Sequence, residues 1–382
     1  MAKKIIRFGV IGLGLMGREF GSAAARWMHL LDLDFQPVIT GVCDTNEKLH
    51  GWFTDNFDSI QIATTDYHDL LNSDQIDAIY CAVPHNLHAQ IYTDIIRAGK
   101  HLLGEKPFGI DLEANQQIMN VIEANPQVTV ACSSEFPFFP GAQRVIQAIQ
   151  SQDFGPIIEV DAGFLHSSDI NPDKTINWKR MIAINGEYGC MGDLGLHVFH
   201  IPLRMDWMPQ RVQARLTNIV TERPNAQGER VPCETWDNAI LDCTVQAEQG
   251  DFPMTLRTYR IAPGEMDTWY IRVLGTRTSI SYSTKYPRTL RVMKYTPGDE
   301  QAWQEIDLGY QGAYPAITGG IFEFGFPDAL LQMWAAFCDQ LVNGRDGMRQ
   351  PFYCATPAET QQHHRVLTAA LESQRHGATV QL

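Results

Sequence analysis

The sequence from Gly9 to Gly17 reads GVIGLGLMG. An apolar run that ends in a glycine-rich turn is typical of a β-strand passing into a helix, and a helical pattern follows to about His29. The later runs PVITGVCD, AIYCAVP and HLLGEKP each follow another predicted helix. Strict alternation of strands and helices predicts right-handed crossovers and a parallel sheet. The helices predicted in this part run from about Gly14 to His29, Glu47 to Phe57, and His88 to Ala98 with a stop at Gly99.

The pattern changes after Cys132, where several strand-like runs follow one another and are joined by turn residues. Such a succession indicates a largely antiparallel sheet. We therefore predict an α/β protein with a first domain over 1–132 and an α+β domain with a large, mostly antiparallel open sheet over 133–382. The helices predicted for the second domain are about Gly141 to Gln150, Asp328 to Val342, whose apolar stripe is interpreted as core, and Thr360 to Ser373.

The composition of the 382-residue chain excludes several kinds of partner. Hydrophobic residues make up 44% of the chain, which is enough for two cores. The charged side chains sum to −14, and the acidic ones are spread along the chain. This distribution argues against nucleic acid and against an anionic membrane surface as partners.

Cysteine usage and the N-terminus indicate the compartment. The eight cysteines lie mostly inside apolar runs without a C-x-x-C pair, which predicts reduced core thiols, with neither disulfides nor a zinc site. Arg7 interrupts the first apolar run and no small-residue cleavage site follows, so a signal peptide is not expected. No apolar segment approaches the roughly 18 residues that span a bilayer. We expect a soluble cytoplasmic protein without a membrane partner.

Three glycines, Gly12, Gly14 and Gly17, open the first predicted helix. After a strand, such glycines permit a tight turn, close approach of the backbone to a pyrophosphate, and close packing of helix on strand. Together with Leu15 and Met16, which lie between them, they predict a dinucleotide-binding Rossmann domain. A glycine-rich turn on its own is common, so a second signal is needed.

Asp44 is that second signal, because it ends the next predicted strand 27 residues after Gly17. A carboxylate there can accept hydrogen bonds from the adenosine ribose and repel a 2′-phosphate, which favours NAD over NADP as cofactor. The alternative interpretation is that Asp44 is only a turn or helix-cap residue.

The sequence AVPHNLH lies at the carboxyl edge of the predicted parallel sheet, where ligands of such folds bind. Pro84 ends the strand, and the residues after it start the next helix. His85 and His88 could therefore lie near the nicotinamide of the cofactor. Either could equally be a helix-terminus residue that faces solvent.

The sequence HLLGEKPFG places Glu105 and Lys106 at the end of another strand of the same edge. The pair either emerges into solvent, where most such residues lie, or directs Lys106 into a cleft. Pro107 biases the backbone of Lys106 toward an extended conformation. Glu105 could pair with Lys106 or contact the cofactor ribose.

The sequence MGDLGLHVFH carries Asp193, His197 and His200 at spacings that share one helix face. A histidine near neutral pH with a carboxylate beside it suits proton transfer. Asp, His and His on one face also suit a divalent metal. The third interpretation is a capping aspartate and two packed histidines.

Taken together in this order, GVIGLGLMG, Asp44, AVPHNLH, GKHLLGEKP and GCMGDLGLH resemble the Gfo/Idh/MocA family of nucleotide-dependent oxidoreductases over about residues 8–197. The resemblance implies that Lys106 lies beside the substrate and the nicotinamide, and that Asp193 and His197 complete the catalytic set. It implies no catalytic metal. It also implies homodimers or homotetramers through the sheet of the second domain.

Three features depart from the family pattern. His85 stands where members often have Asn, Cys190 and Met191 interrupt the usual glycine run, and His200 replaces a common Asp. The first two changes could reshape the pocket without removing its chemistry. His200 keeps the metal interpretation open.

The function expected from the resemblance is an NAD-dependent dehydrogenase that oxidises a secondary hydroxyl of a sugar, sugar derivative or cyclitol. The alternatives are a glycoside hydrolase that uses tightly held NAD, and a non-catalytic regulator that responds to sugar and NAD. Further residues that could line a polyol pocket precede the catalytic helix: His166, Trp178, Lys179, Arg180 and Asn185.

Overall fold

The computed structural model of the protein describes residues 3–151, 153–248 and 250–382. The chain forms two compact units, each built from three separate segments. The first unit combines the residues up to 109 with 113–138 and 310–357. The second unit combines 110–112, 139–309 and 358–382.

The first unit contains a six-stranded parallel sheet in the order β3-β2-β1-β4-β5-β6. The strand order reverses between β1 and β4, which is the point where the carboxyl edge of such a sheet opens a crevice. The predicted α/β architecture with a Rossmann sheet is therefore confirmed. Its elements are β1 Lys4–Ile11, α1 Leu15–Ala25, β2 Phe35–Cys43, α2 His50–Thr54, β3 Ile62–Thr64, α3 Tyr67–Leu71, β4 Ala78–Cys81, α4 His88–Arg97, β5 His101–Glu105, α5 Leu112–Ala124 and β6 Val130–Ser133.

The segment 310–357 returns to the first unit, which differs from the predicted division at residue 133. Its helix, Phe326–Asn343, places Trp334 on the aromatic core beneath the parallel sheet. The Trp334 ring centroid lies 4.0 Å from that of Phe20 and 5.2 Å from that of Phe8. The apolar stripe of this helix is thus core, as predicted, but it is the core of the first unit.

The second unit contains a nine-stranded sheet in the order β16-β15-β14-β13-β7-β12-β11-β8-β17. All its neighbouring strands are antiparallel except β7 and β12, so the prediction of a large, mostly antiparallel sheet is confirmed. The helix α9, Phe326–Asn343, belongs to the first unit. The elements of the second unit are α6 Pro140–Ser151, β7 Ile157–His166, α7 Ile182–Asn185, α8 Cys190–Arg204, β8 Pro209–Thr217, β9 Glu222–Pro224, β10 Arg230–Pro232, β11 Asn238–Val245, β12 Phe252–Tyr259, β13 Asp267–Gly275, β14 Thr278–Ser283, β15 Thr289–Lys294, β16 Gln304–Asp307, α10 Pro357–His376 and β17 Val380–Gln381.

One face of the nine-stranded sheet is covered by helices. Helix α8 packs against β7, β11 and β12, and α6 packs against β14. The predicted helix ends were approximate: the helix expected from Glu47 to Phe57 is a short 3₁₀ turn followed by α2, and α1 ends at Ala25. No helix in the described residues combines the length and the apolar character that crossing a bilayer requires.

The packing of α6 on the sheet makes a testable prediction about Gly141. A Cβ atom at this helical position would fall inside the ring of Tyr282 on β14. We expect Gly141→Ala to lower the free energy of unfolding by about 1–3 kcal/mol, because overpacking forces the ring or the helix to shift. Urea-induced unfolding measures this change.

Gly51 is the matched control, because it is also helical but a Cβ at its position would meet only the far end of Asp55, at 3.9 Å. Gly51→Ala should leave stability unchanged or raise it by about 0.5–1 kcal/mol through helix propensity. Equal effects of the two substitutions would contradict the packing described for Gly141.

Candidate active site

The glycine-rich turn after β1 has no room for a Cβ atom at two of its three glycines and has room at the third. Gly12 has φ +91°, and a Cβ there would meet the carbonyl of Ala82. A Cβ on Gly17 would meet the carbonyl oxygen of Gly12, whereas a Cβ on Gly14 would meet nothing within 4 Å. The turn therefore needs glycine at two positions for its own packing, while the space at Gly14 is free for a ligand to approach the backbone.

Helix α1 starts immediately after this turn and presents its N-terminus to the same space. Leu15 is largely exposed and Met16 is half-buried. Both residues were predicted to bind cofactor, and both lie at the open mouth of the turn. A pyrophosphate at this place would meet backbone N–H groups and the positive end of the helix dipole.

Asp44 follows β2 and holds the glycine-rich turn by hydrogen bonds. Its Oδ2 accepts the Leu13 N–H at 2.8 Å, and its Oδ1 accepts the Asn46 N–H at 2.8 Å. Asp44 is therefore a turn residue, as the alternative interpretation expected. Each carboxylate oxygen still has acceptor capacity, and the residue is only half-buried, so ribose binding is compatible with these contacts.

His88 binds backbone through both nitrogens of its ring. Its Nε2 lies 3.0 Å from the carbonyl oxygen of Val83, and its Nδ1 accepts the Gly109 N–H at 3.3 Å. These contacts tie the end of β4, beside Pro84, to the turn that follows β5. The imidazole is fully buried, so it positions two loops of the carboxyl edge, and the solvent-facing interpretation is wrong. His85 is buried beside it, with ring centroids 5.5 Å apart.

Glu105 is buried at the end of β5 and binds a tyrosine. The Tyr80 hydroxyl donates to Glu105 Oε1 at 2.7 Å. Burial, and then the nearby Glu105, raise the pKa of the Tyr80 phenol well above its usual value. This partner differs from Lys106 and the ribose, the two partners expected for Glu105 from the sequence. Tyr80 carried no sequence signal, because it lies within an apolar strand.

Lys106 is half-buried and begins the turn after β5. The peptide bond between Lys106 and Pro107 is cis. The next residues have positive φ, at 71° for Phe108 and 126° for Gly109, and the Asn115 side chain donates to the Phe108 carbonyl at 2.9 Å. The turn is thus held by local contacts, and Lys106 is placed by backbone geometry at the carboxyl edge of the first sheet.

In the second unit, the candidate residues are presented by α8, which begins after two glycines with positive φ, Gly186 and Gly189. A Cβ on Gly189 would lie 2.7 Å from the backbone nitrogen of Trp236. Within the helix, a Cβ on Gly195 would lie 2.5 Å from Nε2 of His363 on α10. The central glycine between the aspartate and the histidine of this motif therefore makes room for another helix.

Asp193 lies between two cations of the second unit. Lys179 Nζ donates to its two carboxylate oxygens at 3.0 and 2.9 Å, and Arg260 Nη2 donates to Oδ2 at 3.3 Å. The carboxylate is almost fully buried. Arg260 was not predicted, since an arginine inside the strand-like run MTLRTYRI carries no motif.

His197 lies one helical turn after Asp193 and is buried against aromatic rings. Its ring meets the Phe164 ring edge-on, with centroids 5.6 Å apart. Its backbone carbonyl accepts the Trp269 indole N–H at 2.8 Å. Phe164 also contacts His166, at 4.6 Å between centroids, so these three side chains form one cluster.

His200 is fully buried, and its Nε2 lies 3.8 Å from Glu359 Oε1. Burial, then the neighbouring Arg204 and His197, hold the pKa of His200 well below its usual value, so the imidazole is neutral. Across residues 3–151, 153–248 and 250–382, no three His, Cys, Asp or Glu side chains are grouped as metal ligands would be. The geometry of His200 is that of a packed core histidine.

The other predicted pocket residues divide into two groups. Trp178 and Lys179 are half-buried, and the Lys179 ammonium lies 5.8 Å from the centroid of the Trp178 ring. Arg180 is fully buried between Asp169 and Asp237, and Asn185 donates to the carbonyl of Gly189 at 3.3 Å. Arg180 and Asn185 therefore stabilise the loop and the start of α8.

Comparison with known proteins finds similarity to oxidoreductases. Residues 6–132 match the family model described as oxidoreductase family, NAD-binding Rossmann fold. A levoglucosan dehydrogenase from Pseudarthrobacter phenanthrenivorans is 24% identical over 224 residues, which are 58% of this chain and 57% of that protein. A glycosyl hydrolase family 109 protein from Shewanella pealeana is 25% identical over 175 residues, 42% of this chain and 35% of that protein.

These matches span about half the length of the curated relatives, or less. The fold likeness extends further, since a solved structure of levoglucosan dehydrogenase in complex with NADH matches at a TM-score of 0.87, with 20% identity over 99% of both chains. Over residues 6–132, which include the open glycine-rich turn, the chain is similar to the NAD-binding Rossmann domain of the Gfo/Idh/MocA oxidoreductases.

Proposed function

We propose that the protein is an NAD-dependent dehydrogenase that oxidises a secondary hydroxyl of a sugar, sugar derivative or cyclitol. The observation that carries this proposal is the buried pair on α8, where His197 follows a carboxylate held by two cations, in a chain whose first unit is the family's NAD-binding domain. Relatives and fold neighbours named as levoglucosan dehydrogenase support the substrate class.

The residues of the first unit fit a dinucleotide. The open side of Gly14 leaves space for a pyrophosphate, and Asp44 offers acceptors for ribose hydroxyls and a charge that opposes a 2′-phosphate. Bound NAD supplies the hydride acceptor of the reaction. The remaining requirements are a group that takes the hydroxyl proton and a group that stabilises the developing negative charge on oxygen.

We assign these roles to three side chains. His197 is the general base, since imidazole ordinarily titrates near neutral pH and its ring is buried beside Phe164. Lys106 donates a hydrogen bond to the reacting oxygen and stabilises its charge. Asp193, fixed by its two cations, binds an adjacent hydroxyl or orients His197.

A substrate screen tests the function as a whole. Sugars, sugar acids and inositols are incubated with NAD or NADP, and the absorbance of reduced nicotinamide is followed. We expect net reduction of NAD by at least one polyol. Failure of every polyol to reduce either cofactor would contradict the dehydrogenase.

A second candidate function is glycoside cleavage that uses NAD without consuming it. The similarity to a glycosyl hydrolase family 109 protein favours this candidate specifically. In the same screen, chromogenic glycosides would be split with no net formation of NADH. That result would replace the dehydrogenase with the second candidate.

Replacement of His197 tests the proposed base. We expect His197→Asn to lower kcat by about 10²- to 10⁴-fold, because positioned acid–base catalysis contributes on that scale. NADH affinity, measured by nicotinamide fluorescence, should stay unchanged, because His197 is not one of the residues proposed to hold the cofactor.

The matched control is His166→Asn, which alters the other histidine packed on Phe164. His166 is proposed to contact substrate, so its loss should raise KM more than it lowers kcat. A His197→Asn enzyme with near-normal kcat would show that another group takes the proton.

Replacement of Asp44 tests cofactor choice. Asp44→Asn keeps an oxygen that can accept the Leu13 N–H but removes the charge. We expect the ratio of kcat/KM for NAD over NADP to fall by about tenfold or more, since repulsion of the 2′-phosphate is lost.

Asp66→Asn is the control, because Asp66 likewise follows a strand of the same sheet and accepts a backbone N–H, that of His68. It should leave the NAD-to-NADP ratio unchanged. An equal change in both variants would mean that general surface charge, and not Asp44, sets the preference.

The assembly is proposed to be a homodimer or homotetramer formed through the nine-stranded sheet. On β7, β12 and β13 this sheet carries a half-exposed network in which Arg257 donates to Asp161 and to the Tyr270 hydroxyl. A pre-ordered polar surface of this kind supports an interface with satisfied hydrogen bonds.

A further inference from the structure

The loop between β7 and α7, residues 167–181, carries two lysines in closely similar settings. Lys174 Nζ lies 3.1 Å from Asp169, and the two side chains are 43% and 6% exposed. Lys179 Nζ lies 2.9 Å from Asp193, and the two side chains are 39% and 5% exposed. The difference is the location of the aspartate, because Asp169 belongs to the loop itself whereas Asp193 belongs to α8.

The two cations that bind Asp193 are held very differently. Arg260 is 2% exposed and also donates to the carbonyls of Lys179 and Gly189, at 3.1 and 3.4 Å. Its guanidinium is therefore fixed by the backbone around it. The Lys179 ammonium is on a flexible stem and is the partly exposed member of the trio.

Because Asp193 is buried, its ion pair with Lys179 affects how readily the carboxylate stays ionised. A carboxylate removed from water is costly to keep ionised unless cations and hydrogen bonds replace its solvation. Lys179 supplies two of the hydrogen bonds that do so. Without Lys179, the carboxylate would lose these two hydrogen bonds and would bind a proton more readily.

We propose that Lys179 is a positioning residue that keeps Asp193 ionised and correctly oriented for the reaction on α8. Arg260 is the fixed half of this clamp, and Lys179 is the half that solvent and substrate can reach. This inference rests on the proposed function, because it assigns Asp193 to the reaction. It adds a second role to the substrate contact that the sequence predicts for Lys179.

Other charged and titratable groups surround the clamp. On α8, Cys190 and His197 lie within one turn of Asp193 on either side, and burial raises the pKa of the Cys190 thiol to about 11, so that this thiol stays neutral. Asp237 lies beyond Arg260 and is bound by Arg180. Lys179 is thus the partly exposed cation whose removal changes the charge facing Asp193.

The test compares Lys179→Met with Lys174→Met by steady-state kinetics across pH, using the polyol found in the screen. We expect Lys179→Met to lower kcat by about tenfold to a hundredfold, because misplacement of a reacting group by about 1 Å has effects of this size. The acidic limb of its pH–rate profile should move to higher pH. Lys174→Met should lower the thermal midpoint but leave the profile in place.

A conservative variant separates positioning from loss of fold. Lys179→Arg keeps a cation within reach of Asp193 and should restore most of kcat and the position of the acidic limb. If Lys179→Met and Lys174→Met lose activity equally, with no shift of the acidic limb, the proposal is overturned.

A stability measurement tests the clamp even if the protein oxidises no polyol, an outcome that would refute the proposed function alone. Loss of Lys179 should cost more unfolding free energy at about pH 8 than at about pH 5.5, since protonation of Asp193 at low pH removes the buried charge that Lys179 no longer stabilises. On an Asp193→Asn background, this pH dependence should vanish. If it persists there, Lys179 does not act through Asp193.

Discussion

A carboxylate buried on a helix must be matched by cations, and much of the second unit is organised by this requirement at Asp193. Arg260 meets the carboxylate and also binds the carbonyl of Gly189 at the start of α8, so one guanidinium fixes both the charge and the helix that carries it. Lys179 reaches the same carboxylate from a loop. That loop is itself fastened by Arg223, which donates to the carbonyl of Asn171 at 2.6 Å. Buried charge and loop structure are therefore mutually dependent.

In the first unit, part of the backbone at the edge of a closely packed sheet stays accessible to a ligand. Gly12 and Gly17 are needed because the strand and the helix approach each other there, while Gly14 remains open. Two buried side chains stabilise this edge. His88 binds backbone groups of two of its loops, and Glu105 accepts a hydrogen bond from Tyr80. Trp334 packs against Phe8 of β1 and Phe20 of α1 in the aromatic core of this unit.

Sequence patterns predicted the parts of the protein whose chemistry is local. The glycine-rich turn, Asp44 at a strand end and the Asp193–His197 spacing each follow from short-range backbone geometry. The patterns did not predict contacts between distant segments, such as the return of 310–357 to the first unit, the Arg260 contact with Asp193, or the fit of His363 against Gly195. His88 and Glu105 lie at the carboxyl edge of the sheet, but their partners depend on tertiary packing. No residue spacing encodes those partners.

In the proposed reaction, the carbon-bound hydrogen of a polyol leaves as hydride to NAD. The most direct measurement uses the active polyol with deuterium on the carbinol carbon, followed by analysis of the reduced nicotinamide and of the single-turnover rate. We predict one deuterium in the reduced cofactor and a primary isotope effect on its formation. Reduced cofactor without deuterium, or consumption of the polyol with no reduced cofactor at any stage, would contradict hydride transfer to NAD.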